Sequence, residues 1–398
     1  MRYNQSTKLG FLTSTSLAAL IVVGLSNQAI AQCAPAGGPI VNCVGGTNTG
    51  YKEPAMMLGT KTVNILAGSR VDDAGVMGGL PAAIELLGAG DSVNVQDPTA
   101  SVDGSQIGIR IRDGNDHGVS NSGRITGGIT GVAIGWIATV SNVQIANNTT
   151  GVISSSGGTG VYLERIDGGS INNAGTISGA SFGIDATLVE DVTISNSGTI
   201  TSTSGYAIKI SPLRNQATNT INNSGIISNT TTNQAILFDK AFGFADRIEI
   251  NNQVTGRING DIRLYGIRNY LANEGIIKGN LFCGPEQRIR NIGANATITG
   301  NLQLYSYSDV SNRQGATIIG DIDFRISGGE LLNDDSTIIG NIYITDGYSY
   351  LTNQNRGTII GNIVVRDSAL ELLNNGSRIT GNISSIGSIK LVNDMGGI

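Results

Sequence analysis

From residue 256 to residue 381, apolar and polar positions recur with two superposed periods. The long period is about twenty. It is marked by Gly279-Asn280, Gly300-Asn301, Gly320-Asp321, Gly340-Asn341, Gly361-Asn362 and Gly381-Asn382, which follow one another at nearly even spacing. The short period is two. Two positions before each glycine stands Ile277, Ile298, Ile318, Ile338, Ile359 or Ile379, and two after it Leu281, Leu302, Ile322, Ile342, Ile363 or Ile383. Two positions further on come Cys283, Leu304, Phe324, Ile344, Val365 and Ser385, while the position between has no constant character. Alternation of this kind predicts short strands with one buried face. Hairpins would need a tight primed turn and a complementary strand inside each repeat. Return of the same side-chain class at the same phase predicts parallel stacking instead, an all-β β-solenoid with coils of about 20 residues.

A looser form of the pattern reaches upstream through Asn121-Ser122-Gly123, Gly151-Val152-Ile153, Asn173-Ala174-Gly175, Asn196-Ser197-Gly198 and Asn223-Ser224-Gly225, at wider and less even steps. From Gly123 onward, twelve such landmarks predict a rod of about 60 Å at about 4.8 Å per rung. Gly and Asn suit the corners because both tolerate positive φ and Asn can bond bend backbone. A third column is irregular: Leu271, Ile292, Leu332 and Leu373 share it with Asn312 and Asn353. Either the register slips there or those amides are buried and hydrogen-bonded. Between residues 44 and 118, alternation at Val63 and Ile65, Val93 and Val95, and Ile107 to Ile111 suggests early coils, with Pro81 to Leu87 read as a short helix or a loop. The expected organisation is a leader over 1–31, a cap and early coils over 32–118, longer-looped coils over 119–260 and regular coils over 261–398.

The leader reading rests on Arg2 and Lys8, an apolar run from Leu17 to Leu25 and Ala29-Ile30-Ala31, with cleavage expected after Ala31. The run is too short to span a bilayer. Formal charge is -5; without the two leader bases it becomes 23 minus 30, or -7, which argues against nucleic-acid or anionic-lipid partners. Only 14% of residues are charged, so neutral Asn, Ser and Thr keep the surface wet. Cys33 and Cys43, close together at the start of an exported chain, are expected to form a disulfide that fastens the first turn. Cys283 reads as a small buried hydrophobe.

Candidate chemistry is sparse. His117 reads as an exposed loop residue, and a single histidine without clustered cysteines argues against a zinc site. Asp321, Asp323, Asp334 and Asp335 offer a two-carboxylate hydrolase hypothesis, although Asp321 fills a corner slot held elsewhere by Asn. No cofactor, metal ligand or catalytic residue is assigned. The candidate binding loops carry Trp136, then Phe238, Phe242 and Phe244; Tyr305, Tyr307 and Tyr343, with Tyr348 and Tyr350, form a candidate aromatic stripe for sugars or a protein. The competing reading is that Trp136 and the phenylalanines cap their own coils.

The leader, Cys33 and Cys43, and the Asn-x-Gly-x-Ile-x-Gly-Asn-Ile repeats together resemble the passenger region of bacterial autotransporters. The resemblance implies a right-handed parallel β-helix, exported by a Gram-negative bacterium through an outer-membrane barrel and acting as an adhesin or surface structural protein rather than an enzyme. Its expected partners are a protein or glycan on a host or neighbouring cell, or further copies of itself. Residues 377 to 398 are still repeat and carry no barrel strands, so a following segment, a cap or a partner is expected. Two alternatives stay open. A polysaccharide lyase or glycoside hydrolase requires Asp, Glu, Arg or Lys from successive coils along a groove. A self-associating surface-layer or biofilm component requires assembly through the sides or ends of the rod.

Overall fold

The computed structural model describes residues 32–34, 38–53, 59–73, 81–112, 114–213, 217–239, 246–326 and 328–394. Throughout these the chain winds as a parallel β-solenoid of three faces, with no helix. Each regular coil is one circuit. In one of them, Ile276–Lys278 lies on the third face, Leu281–Cys283 on the first and Arg288–Ile292 on the second. The third face is a separate sheet of fifteen strands. The other two faces merge into one sheet because strands such as Ile342–Gln354 and Ile363–Asn375 run around the bend between them. Fifteen rungs at about 4.8 Å give a rod of about 67 Å. Thr47 opens the first rung of the third face and Arg378 the fifteenth. Averaged over that whole length the coil is longer than the repeat predicts, at about 23 residues. A period of twenty describes only the regular C-terminal part.

Parallel register converts the sequence period into columns. On the third face Ile277 pairs with Ile298, Ile298 with Ile318, Ile318 with Ile338, Ile338 with Ile359 and Ile359 with Ile379. All but Ile379 are fully buried, and Ile379 packs partly buried against the same core. Stacking, not the single coil, does the burying. Ile363 and Leu372 are fully buried, whereas their partners on the last described rung, Ile383 and Leu391, are 39% and 55% exposed. Fully burying an aliphatic side chain of this size is worth about 1.5–3 kcal/mol, and β-branched isoleucine also suits an extended backbone.

The corner between the third and first faces requires glycine. Gly279, Gly300, Gly320, Gly340, Gly361 and Gly381 hold φ between 142° and 157°. A Cβ on any of them would lie 2.0–2.3 Å from the carbonyl oxygen of the preceding glycine in the column. The next residue completes the corner: the side-chain oxygens of Asn280, Asn301, Asp321, Asn341 and Asn362 each accept the backbone N–H of their successor at 2.7–3.0 Å. Asp321 is thus one member of a corner ladder.

The irregular third column resolves into two inward columns, with Ile292, Leu332 and Leu373 belonging to neither. Leu271 pairs with Ile289, not Ile292, and the aliphatic line continues through Val310, Leu331, Leu351 and Leu372. Ile292, Leu332 and Leu373 are only half-buried. Two positions on runs a separate, unbroken line of asparagines: 121, 147, 173, 196, 223, 252, 273, 291, 312, 333, 353, 374 and 393. Each Nδ2 donates to the Oδ1 of the next at 2.7–3.0 Å. From Asn121 through Asn374 every member is at most 4% exposed. The amide also reaches backbone carbonyls at the bend onto the third face; Asn312 Nδ2 donates to Ala316 O and Thr337 O. Buried amides are tolerated here because the stack supplies their partners.

Residues 81–87 form neither a helix nor a loop. Ala82–Leu86 is a strand of the first face, parallel to Ile107–Ile111 and to Tyr51–Lys52. Neighbouring rungs offer ladder partners on both sides, and that tertiary pairing decides a short apolar run whose local sequence is ambiguous. At the first rung Gln32–Ala34 lies antiparallel to Ile40–Val44, with Cys33 opposite Cys43 and the two joined by a disulfide. This strand covers an edge that parallel stacking leaves open.

Candidate binding groove

A shallow groove of about 710 Å³ lies across the outer surface of the second face, over the coils from residue 247 to residue 309. Its floor follows from register. Outward positions of successive rungs stack Glu249, Tyr270, Arg288 and Asp309 in one column, and Arg290 stands beside them in the next. Arg247, Arg268, Asn269, Glu286 and Tyr307 complete its lining. Arg268, Glu286 and Tyr307 hold φ of 59°, 56° and 57°, the left-handed conformation that turns the chain between the first and second faces.

Opposite charges are interleaved in this groove. Arg247 lies 3.1 Å from Glu249, Arg268 2.7 Å from Glu286, and Arg288 3.9 Å from Asp309. Arg290 is exposed, has no carboxylate partner among the described residues, and sits with its guanidinium 5.7 Å from the centre of the Tyr270 ring. Partial burial pushes the Asp309 carboxyl above its ordinary range, opposed by the Arg288 charge. Arginine forks facing solvent beside tyrosine rings can hold planar anions and stack on flat apolar faces.

The aromatic candidates part company. Tyr307, 68% exposed, lines the groove. Tyr305 is exposed at the end of its strand, and Tyr343 is half-buried on the first face between Asp323 and Val364; neither lines it. Tyr348 and Tyr350 are exposed in an edge-to-face pair with centroids 4.9 Å apart. The Tyr348 hydroxyl donates to Glu371, which also receives Lys390. Trp136 is exposed in the bend between Thr130–Ile134 and Val140–Asn147, beside the more exposed Ile137. Phe238 is a correction: it is fully buried in the core, paired with Ile210 and Leu264, because it occupies an inward position of its strand. Phe242 and Phe244 lie outside the described residues, as does the leader.

His117 is a second correction. It is 1% exposed, because it leads into the strand Gly118–Asn121 under the cover of neighbouring coils. Cys283 packs between Leu264 and Leu304, and burial pushes its thiol up to about 12, so it stays an inert thiol at neutral pH. Asp323 pairs with Arg325 at 2.6 Å, Asp334 accepts Asn355, and Asp335 pairs with Arg356. Among the described residues no three His, Cys, Asp or Glu side chains gather as a metal site, and no helix is long and apolar enough to cross a membrane.

Sequence reasoning missed the groove because its residues are unremarkable singly. The available signal was a charge shift: residues 247–313 carry eight Lys and Arg against five Asp and Glu, within a chain of net charge -5. Neither a protein-family model nor a curated protein matches this chain.

Proposed function

We propose that this protein is an exported surface rod of the autotransporter-passenger type, acting as an adhesin or structural surface protein rather than an enzyme. The observation that carries the reading is the solenoid of the described residues, fifteen rungs over one core with an asparagine line from residue 121 to residue 393, begun by a disulfide-fastened strand. Such a scaffold holds an extended surface in fixed geometry, and its disulfide suits an oxidising compartment. The sparse charge and the leader agree with export. Protease added to intact cells tests the reading: cleavage of the rod without lysis is expected, and protection until the cells are broken would overturn it. Adhesion of beads coated with the purified rod to cells or matrix tests the adhesive role.

One observation favours an enzymatic alternative. Successive coils do place arginines and carboxylates along a groove, and the Asp309 carboxyl is raised in the direction a general acid requires. Against it, Glu249 and Glu286 are held by arginines at 3.1 and 2.7 Å. Carboxylates paired in this way fix the arginine geometry. New reducing ends or unsaturated products released from acidic polysaccharides, and lost in Asp309→Asn, would replace the adhesin reading.

A further inference from the structure

We infer that the groove on the second face binds an anionic saccharide, gripping its carboxylate or sulfate groups with arginine and its ring faces with tyrosine. The inference deepens the surface reading and rests on it for an extracellular ligand.

Three observations carry it. First, charge is placed against the trend of the chain: the groove lining carries four arginines against three carboxylates, or +1, within a chain of net charge -5. The net negative charge of the chain opposes polyanions, and the arginines of this lining give one a place to approach. Second, Arg288 and Arg290 are alternate residues of one strand. They point to the same side about 7 Å apart, with the adjacent rung about 4.8 Å away. Both are exposed, and the weak 3.9 Å pairing of Arg288 with Asp309 leaves its fork available to an incoming anion. Third, Tyr270 lies on the groove floor beside Arg290, and Tyr307, 68% exposed, stands at its edge. Tyr307 presents a ring on which the apolar face of a pyranose can rest, and the half-buried Tyr270 ring backs the Arg290 fork. An anionic peptide would use the same arginines but has no comparable need of tyrosine faces.

The carboxylates set the selectivity. Glu249 and Glu286 hold Arg247 and Arg268 in place, and together with Asp309 they repel a ligand whose charges fall out of step with the forks. A regularly spaced anionic chain fits this alternation better than a dense polyanion such as nucleic acid.

Calorimetric titration of the full chain tests the inference with three probes: oligogalacturonate, which carries only carboxylates, sulfated oligoglucose, which carries only sulfates, and neutral oligoglucose. Binding of either anionic probe is expected, with the one bound identifying the group; the neutral probe should not bind. Arg290→Ala should weaken binding about tenfold and Arg290→Lys less, since lysine keeps the charge without the fork. Tyr270→Ala should weaken it without changing its salt dependence, whereas Arg288→Ala should reduce that dependence. Arg378→Ala, on the third face, is the control and should have no effect. Binding of neither anionic probe, equal binding of the neutral one, or unchanged affinity in an Arg288→Ala/Arg290→Ala variant of native circular dichroism overturns the inference. A rod displayed on cells that binds no anionic sugar sinks this inference alone, and one that binds such sugars but stays inside the cell sinks the surface reading alone.

Discussion

Replacing Asn312 with alanine interrupts the buried asparagine line within the regular coils. The Asn312 side chain donates to Asn333 Oδ1 at 2.9 Å, Thr337 O at 3.0 Å and Ala316 O at 3.2 Å, and accepts from Asn291 Nδ2 at 2.9 Å. Some neighbours keep a partner, which bounds the loss. Asn291 Nδ2 still reaches Thr317 O, and Ala316 O still accepts the Thr337 N–H. Asn333 Oδ1 loses its side-chain donor inside the core, and a small cavity opens. A buried polar group stripped of its partner costs about 1–3 kcal/mol, so with the cavity the expected loss is about 2–4 kcal/mol. Because coils interact chiefly with their neighbours, that loss should be local. In hydrogen exchange measured by mass spectrometry, amides of the coils carrying Asn291, Asn312 and Asn333 should exchange about a hundredfold faster, corresponding to about 3 kcal/mol, with distant coils unchanged. Asn251→Ala is the control; its Nδ2 makes one half-buried bond to Asn222, so less than about 1 kcal/mol is expected. Equal effects from Asn312→Ala and Asn251→Ala would refute the claim that the buried line carries stability.

Gly320→Ala should destabilise its corner by about 3 kcal/mol or more, because φ is 142° and the new Cβ would meet Gly300 O at 2.3 Å; urea denaturation followed by coil-resolved exchange checks this. Cys33→Ser/Cys43→Ser should weaken the first rungs by about 2–3 kcal/mol and leave the regular coils untouched, as limited proteolysis would report. Asp91 predicts a pH dependence confined to the early coils. Burial pushes its carboxyl up to about 6; backbone N–H groups of Lys61 and Gly88 oppose the shift, and neighbouring Glu53 adds to it. The folded pKa stands above the unfolded value of about 3.9, so the contribution is complete below the latter and lost as pH rises through the former. These coils should resist urea better at pH 5 than at pH 7.5, and Asp91→Asn should remove the difference.

The fold was legible in the sequence wherever one column repeated one residue class. Ile277 to Ile379 and the Gly-Asn corners announced both the strand period and the rung length, and parallel pairing follows once hairpins are set aside. Legibility failed where stacking, rather than sequence, decides the environment. Asn312 and Asn353 read as intrusions in an aliphatic column because an amide is costly inside a core unless the coils above and below bond it. His117 and Phe238 read as loop residues because local composition does not reveal how neighbouring coils cover them. Ala82 to Leu86 gained its strand partners from tertiary pairing. The groove is the extreme case: Tyr270, Arg288 and Asp309 each stand a full coil apart in sequence and become neighbours only through register.

That register is the claim on which the rod, the asparagine line and the groove all depend, and electron–electron distance measurements address it directly. A spin label at Thr337 would be paired with a second at Arg257, Thr199 or Val152, which stand four, six and eight rungs away on the same outer column of the third face. Parallel stacking predicts distances that climb by about 4.8 Å per rung, to about 19, 29 and 38 Å before label length is added. Distances that fail to increase with rung number would contradict the solenoid and everything built on it.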